Sequence, residues 1–506
     1  LRSKLVQYET SRSSTERQVS SAEAVVRGIG PDGGLYTPVE LPHLDQHDLL
    51  ELEGQPYVRR AYTVLAPFFD DFPEQILLKA IETAYGRDRF SDPDVAPLRY
   101  LSESEAVLEL WHGPTSAFKD VALQLLPLLM SKAAELTAEE RKIVILVATS
   151  GDTGSAALEG FSDVPGTEIV VFYPSEGVSS IQRLQMTTQE GSNVNVFGVV
   201  GDFDDAQSGV KRLFTDLGFT SEMRASGRVF SSANSINWGR LAPQIAYYVS
   251  AYCDAVASGK LRRGDKVNFV VPSGNFGNIL AGYYALRIGL PVNRLICASN
   301  ANNVLTDFFA TGVYDRRRPL YRTSSPSMDI LVSSNLERLI FEASGHDHDL
   351  VGSLMADLHE RGFYRIDAAM LNRLREVFWA GWCDEETVVD TVRDVWENHS
   401  YLLDPHTAVG KAVYDQYQAA TRDDTFSIIL STASPFKFPR TVLTAIAGDG
   451  NMEGRSDIEL LQLLERLTGQ PIPEQLALVL SQPERHLRVV EPSEMAEAVR
   501  STFRAT

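Results

Sequence analysis

Val267-Asn268-Phe269-Val270-Val271-Pro272-Ser273-Gly274-Asn275-Phe276-Gly277-Asn278-Ile279-Leu280 passes from an apolar run through a glycine turn into a helix-period stretch that continues to Leu286. The run Val267–Val271 is short and rich in Val and Phe, which marks a buried strand. Glycines in the turn allow positive φ and let a ligand come close to the backbone. The N–H groups that open the following helix form an anion site suited to a phosphate. Taken alone, the same turn also reads as a plain tight connection.

Working outward, Ile143–Val147, Ile169–Phe172, Val194–Val200, Leu295–Ala298 and Phe426–Leu430 are further strand-like runs separated by helical periodicity. After Lys119, residues Val121, Ala122, Leu125, Leu126, Leu129 and Met130 recur at i, i+3, i+4 spacing. Such alternation implies parallel sheets covered on both faces, an α/β protein. In open sheets of this kind, ligands bind at turns on the carboxyl ends of the strands. The first hundred residues lack strand alternation and read as mostly helical, as do residues 452–506, where Ile458, Leu460, Leu461, Leu463 and Leu464 keep helical spacing.

The length of 506 residues allows about three domains. Hydrophobic residues at 44% and charged residues at 23% are the balance of an ordinary globular protein. A net charge of −20 argues against non-specific nucleic-acid binding, which needs basic surface, but not against an anionic small substrate in one cleft. Cys253, Cys297 and Cys383 lack metal-ligand spacing and read as packing residues, with Cys297 in a buried strand. No apolar run approaches a membrane span and no signal-peptide pattern is present, so a soluble cytoplasmic protein is expected.

Three other segments carry chemistry. Thr149-Ser150-Gly151-Asp152-Thr153-Gly154 follows a strand and offers hydroxyls and backbone donors to a carboxylate or phosphate, or serves as an ordinary N-cap. Asn234-Ser235-Ile236-Asn237-Trp238-Gly239-Arg240 ends on an arginine, the preferred fork for such anions but also a common surface residue. Lys119 follows Ala117 and Phe118 at the head of an apolar helix. By residue physics alone that setting reads first as a snorkelling lysine, and otherwise as a buried amine of lowered pKa that forms imines and carries protons.

In combination these segments resemble the threonine synthase family, in its longer bacterial and fungal form. His112-Gly113-Pro114-Thr115-Ser116-Ala117-Phe118-Lys119-Asp120 resembles the family's cofactor-lysine signature. Thr149–Gly154, Asn234–Arg240, Pro272–Asn278 and Ser431-Thr432-Ala433-Ser434-Pro435-Phe436-Lys437-Phe438 resemble its other signatures, in the family's order. Gly28–Pro38, Thr323–Leu339 and Asp404–Gly410 extend the resemblance over nearly the whole chain. Tyr8-Glu9-Thr10-Ser11-Arg12 departs from it, with Thr-Ser where the family shows Ser-Thr, which puts a supporting role for Arg12 in doubt.

The resemblance implies a fold type II, tryptophan synthase β-like enzyme whose two open α/β domains close over pyridoxal 5'-phosphate. It implies an N-terminal domain over 1–97, a large cofactor domain over 98–120 and 216–450, a small domain over 121–215 and a helical C-terminal extension over 451–506. Lys119 would carry the cofactor as a Schiff base beside Phe118. Gly274, Asn275, Phe276, Gly277 and Asn278 would hold the cofactor phosphate, and Thr432 would meet the pyridine nitrogen. Thr149, Ser150, Asp152 and Thr153 would meet the substrate carboxylate or cofactor edge, and Ser235 and Arg240 the substrate phosphate. His112 and His406 would be structural, and no metal is expected. The implied reaction converts O-phospho-L-homoserine and water to L-threonine and phosphate in a monomer or homodimer. A related phospho-lyase giving 2-oxobutyrate is the nearest alternative. A silent cofactor-binding protein and a nucleotide-binding protein are more distant, since Gly274–Gly277 is not a dinucleotide fingerprint.

Overall fold

The computed structural model describes residues 5–149, 151–175, 178–448, 450 and 452–504. Two separate sheets form its frame. The larger has six strands in the order Phe378–Trp382, Val292–Ser299, Val267–Pro272, Ser427–Ser431, Glu105–Glu109, Leu98–Tyr100. All neighbours run parallel except the last pair. The smaller sheet is wholly parallel, in the order Val489–Val490, Val194–Val199, Thr167–Pro174, Lys142–Ala148, Arg228–Ser231. Helices on both faces explain why the central strands are continuously apolar. Thr167–Pro174 and Val267–Pro272 are buried at every position.

The strand runs read from the sequence lie in these sheets, each within a residue or a few of its expected ends. Cys253, Cys297 and Cys383 are free and buried, and burial pushes each thiol up to about 12. The N-terminal region is helical over Ser21–Arg27, Gln46–Leu52, Tyr57–Leu65 and Glu74–Ala84, and adds a ribbon of Tyr8–Thr10 against Tyr36–Pro38. The C-terminal region holds helices Asp457–Thr468, Glu474–Ser481 and Met495–Arg504. It also supplies Val489–Val490 to the edge of the smaller sheet. That strand is too short for alternation to reveal it. Among the described residues no helix is long and apolar enough to cross a membrane.

Topology brings the chemistry together. Lys142–Ala148 ends at Thr149, Val267–Pro272 at the glycine turn, and Ser427–Ser431 at Thr432. Each turn therefore sits at the carboxyl end of its strand, facing one cleft between the two sheets.

Candidate active site

A cavity of about 1210 Å³ is lined by Phe118, Lys119, Thr149, Asp152, Thr153, Ser235, Arg240, Gly274, Asn275, Phe276, Gly277, Asn278 and Thr432. These are the site residues expected from the sequence with one exception: Ser150 lies outside the described residues. The cavity also takes in Arg12, Ser327, Glu337 and His406.

Lys119 is held by the turn before it. Gly113 approaches Asp120 so closely that a Cβ would sit 2.4 Å from the Asp120 Cβ, which explains a glycine there. The Asp120 carboxylate accepts from the Thr115 N–H at 2.8 Å and its hydroxyl at 2.7 Å. Burial pushes Asp120 up to about 6 against those hydrogen bonds. The Phe118 N–H donates to the Thr432 carbonyl at 2.8 Å, and Ala117 bridges Ala433. The lysine turn and the Thr432 turn are thus stitched into one unit.

Lys119 opens the helix Lys119–Leu123 and is buried. Its Nζ lies 3.5 Å from Asp152 Oδ2, 3.3 Å from Ser327 Oγ and 4.8 Å from the centre of the Phe118 ring. Burial lowers its pKa, opposed by Asp152 and assisted by the Arg240 and Lys437 charges. Asp152 receives Lys437 Nζ at 2.7 Å and Gln182 Nε2 at 2.9 Å on Oδ1, and the Ser327 hydroxyl at 3.1 Å on Oδ2. Burial would raise this carboxyl, but Lys437 and then Lys119 overcome it and hold Asp152 well below the usual range.

At the glycine turn Phe276 takes a left-handed φ of 63° and caps the helix Gly277–Ile288 without a side-chain hydrogen bond. The first N–H groups of that helix therefore remain available to an anion. Asn278 is buried; its Oδ1 accepts from the Tyr247 and Tyr248 hydroxyls at 2.6 and 2.9 Å, while its Nδ2 has no partner. An orphaned buried donor beside an uncapped helix start fits a phosphorylated cofactor with acceptor oxygens. Ser235 Oγ accepts from Asn335 Nδ2 at 2.9 Å, which also donates to the Asn275 carbonyl and so ties the two loops.

Arg240 stands on the short helix Trp238–Leu241 and is 4% exposed. Its Nη1 donates to the Ala233 carbonyl at 2.5 Å, and among the described residues no carboxylate pairs with it within 4 Å. Burial lowers its pKa to about 10. A buried guanidinium without a carboxylate is costly unless an anion arrives. Arg12 forks onto Glu337 at 2.7 Å through both Nε and Nη2, so here it orders the cavity wall.

The two histidines differ. His112 Nε2 meets Glu109 at 2.9 Å, its Nδ1 meets Ser91 at 3.0 Å, and it stacks on Trp111 outside the cavity. His406 lines the cavity, with Nδ1 on Asp404 at 2.8 Å and Nε2 accepting from the Ser327 N–H at 3.2 Å. Sequence reasoning quoted Ser327 and Lys437 in matching segments without giving them a task, and it passed over Gln182. The signal for Lys437 was a lysine inside an apolar signature. Gln182 and Ser327 gave none, because only folding brings them to Asp152. Among the described residues no cluster could hold a metal ion.

The arrangement offers a buried amine beside a carboxylate, an uncapped helix start and a second, isolated cationic anion site. Comparison with known proteins gives these parts a setting. Family models described as threonine synthase N terminus, pyridoxal-phosphate dependent enzyme, and threonine synthase C-terminal match residues 7–85, 106–432 and 407–502. Threonine synthase-like 1 of Homo sapiens is 42% identical over 445 residues, 85% of this chain and 59% of that protein, so the chain spans about three fifths of that relative's length. Threonine synthase of Pseudomonas aeruginosa is 38% identical over 92% of this chain and 95% of its own. Among solved structures, PLP-bound threonine synthase from Brucella melitensis superposes with a TM-score of 0.86 at 36% identity, covering 99% of this chain and 100% of that one. Yeast threonine synthase gives 0.88 at 32%, covering 99% of each.

Proposed function

Since the chain belongs to the threonine synthase family of fold type II pyridoxal-phosphate enzymes, we propose that it converts O-phospho-L-homoserine and water to L-threonine and phosphate. The observation that carries this reading is the pairing of a buried Lys119 amine with the isolated Arg240 guanidinium in one cavity. One group suits covalent attachment and proton transfer, the other a substrate phosphate.

Lys119 is the proposed attachment point for the cofactor, with Phe118 flanking it. The N–H groups of Gly274–Asn278 and the free Asn278 Nδ2 would hold the cofactor phosphate, and the Thr432 hydroxyl would serve the ring nitrogen. When bound, pyridoxal phosphate supplies an electron-withdrawing ring that accepts the charge left when protons depart from substrate carbon. The released Lys119 amine removes protons from Cα and then Cβ. Its lowered pKa leaves more of it as free base.

Ser235 and Arg240 bind the substrate phosphate and stabilise the charge it gathers on leaving Cγ. Lys119 returns a proton to Cγ, the oxygen of water adds at Cβ while the proton it sheds goes to the departed phosphate, and Cα regains a proton. Thr149 and Thr153 offer donors to the substrate carboxylate at the start of the helix Asp152–Phe161. Asp152, ionised and acceptor-only, is better suited to orient Lys119 than to meet a second carboxylate. Buried free cysteines support a reducing, cytoplasmic setting, with a monomer or homodimer as the working unit.

The second reading is elimination followed by hydrolysis of the intermediate to 2-oxobutyrate. Incubation with cofactor and O-phospho-L-homoserine, with both products quantified, separates the two. Threonine in molar balance with phosphate is expected. 2-Oxobutyrate in its place would overturn the proposal.

A further inference from the structure

Behind the cavity wall, Lys437 is a buried lysine that the reaction as described does not use. It sits on the short turn Pro435–Lys437, its side chain fully shielded from solvent. Nζ donates to the Thr115 carbonyl at 2.9 Å, inside the lysine turn, and lies 2.7 Å from Asp152 Oδ1. The other oxygen of the same carboxylate faces Lys119 Nζ at 3.5 Å. One carboxylate thus lies between two lysines, and Gln182 and Ser327 fix its plane.

Burying a carboxylate costs several kcal/mol unless a partner compensates. Lys119 cannot be a constant partner, because its amine is engaged by the cofactor in part of the cycle and gives up its proton in another. Lys437 is not among the residues lining the cavity, so its contact with Asp152 does not compete with a ligand there.

We propose that Lys437 is a positioning residue that orients Asp152 and shares its charge with Lys119, and so sets where the free Lys119 amine rests and at what pH it becomes a base. This rests on the reading of Lys119 as the proton carrier. The charged groups facing Lys119 are Asp152 from the helix Asp152–Phe161, Arg240 from Trp238–Leu241 and Lys437 from Pro435–Lys437. Asp120 on its own helix is turned to Thr115, and His406 reaches it only through the Ser327 backbone. Removing the Lys437 charge takes away a repulsion and leaves Asp152 undivided attraction for Lys119, which raises the amine pKa. Removing the Asp152 charge leaves Lys119 facing two cations and lowers it.

The test is the pH profile of kcat in the holoenzyme for Lys437→Met, Lys437→Arg and Asp152→Asn, with unfolding curves confirming folded protein. The same full-length variants without cofactor are titrated by reductive methylation of Lys119 with labelled formaldehyde. The base limb and the amine titration are expected to move up by about one pH unit in Lys437→Met, a tenfold loss of free amine at fixed pH. They should move down by a similar amount in Asp152→Asn and stay in place in Lys437→Arg. Unmoved titrations in both Lys437→Met and Asp152→Asn, with only the rate reduced, would show a packing role and overturn the proposal. If the enzyme does not turn over O-phospho-L-homoserine, the reaction assignment falls, and the methylation titration still decides the role of Lys437.

Discussion

Arg240 shows most clearly how one side chain reports on a ligand. Its guanidinium is buried, has the Ala233 carbonyl as a partner and lacks a carboxylate within 4 Å among the described residues. Among the described residues Asp120 offsets that charge only from beyond ion-pair distance, so the fold bears much of its cost until an anion arrives. Two consequences follow from opposite directions. Arg240→Ala should lower kcat/KM for O-phospho-L-homoserine by roughly 100- to 1000-fold, the range for loss of a strong oxyanion donor. It should leave the melting temperature unchanged or higher, because a poorly compensated buried charge is gone. Steady-state kinetics and thermal unfolding of one variant check both, and a collapse of stability with little kinetic loss would assign Arg240 to the scaffold. Arg240→Lys, which keeps charge but loses the fork, should fall between.

At this scale the sequence was informative where residues act through their own type and neighbours. Lys119, the Gly274–Asn278 turn and Thr432 were legible because each sits in a contiguous signature. Lys437 shares a signature with Thr432, but its task, like that of Gln182, was not legible, since it is a contact with Asp152 made from a distant point in the chain. Physics alone left Lys119 between a snorkelling and a buried amine. Tertiary burial by the cavity wall decides it, and no local pattern carries that information.

Among elements, the close pair is the helix Lys119–Leu123, which carries the amine, and Asp152–Phe161, which carries its carboxylate partner. They approach at Gly160, where a Cβ would come within 2.0 Å of the Leu123 carbonyl oxygen. Backbone cannot yield there without shifting one helix against the other. Gly160→Ala should therefore cost about 1–3 kcal/mol or more, read as a lower urea midpoint with unchanged slope. Because the displaced helices carry Lys119 and Asp152, kcat should fall as well. Wild-type stability in this variant would contradict the packing described. The same scale shows what sequence periodicity resolves. Long apolar strands such as Val267–Pro272 were visible, whereas Val489–Val490 joins the smaller sheet through a few backbone hydrogen bonds that no pattern announces.

For the whole molecule, two largely parallel sheets present their strand ends to one cleft, and the chain returns to it at the turns of Lys119, Thr149, Ser235, Gly274 and Thr432. The α/β class followed from strand–helix alternation. The division of strands between two sheets did not, since Arg228–Ser231 pairs back to Lys142–Ala148 across some eighty residues of chain. The account as a whole depends on Lys119, rather than the more deeply buried Lys437, being the amine that engages the cofactor. Borohydride reduction of the holoenzyme followed by peptide mass mapping tests this directly. A pyridoxyl-phosphate adduct on the peptide carrying Lys119 is the predicted result; an adduct on Lys437 or another lysine, or none at all, would contradict it.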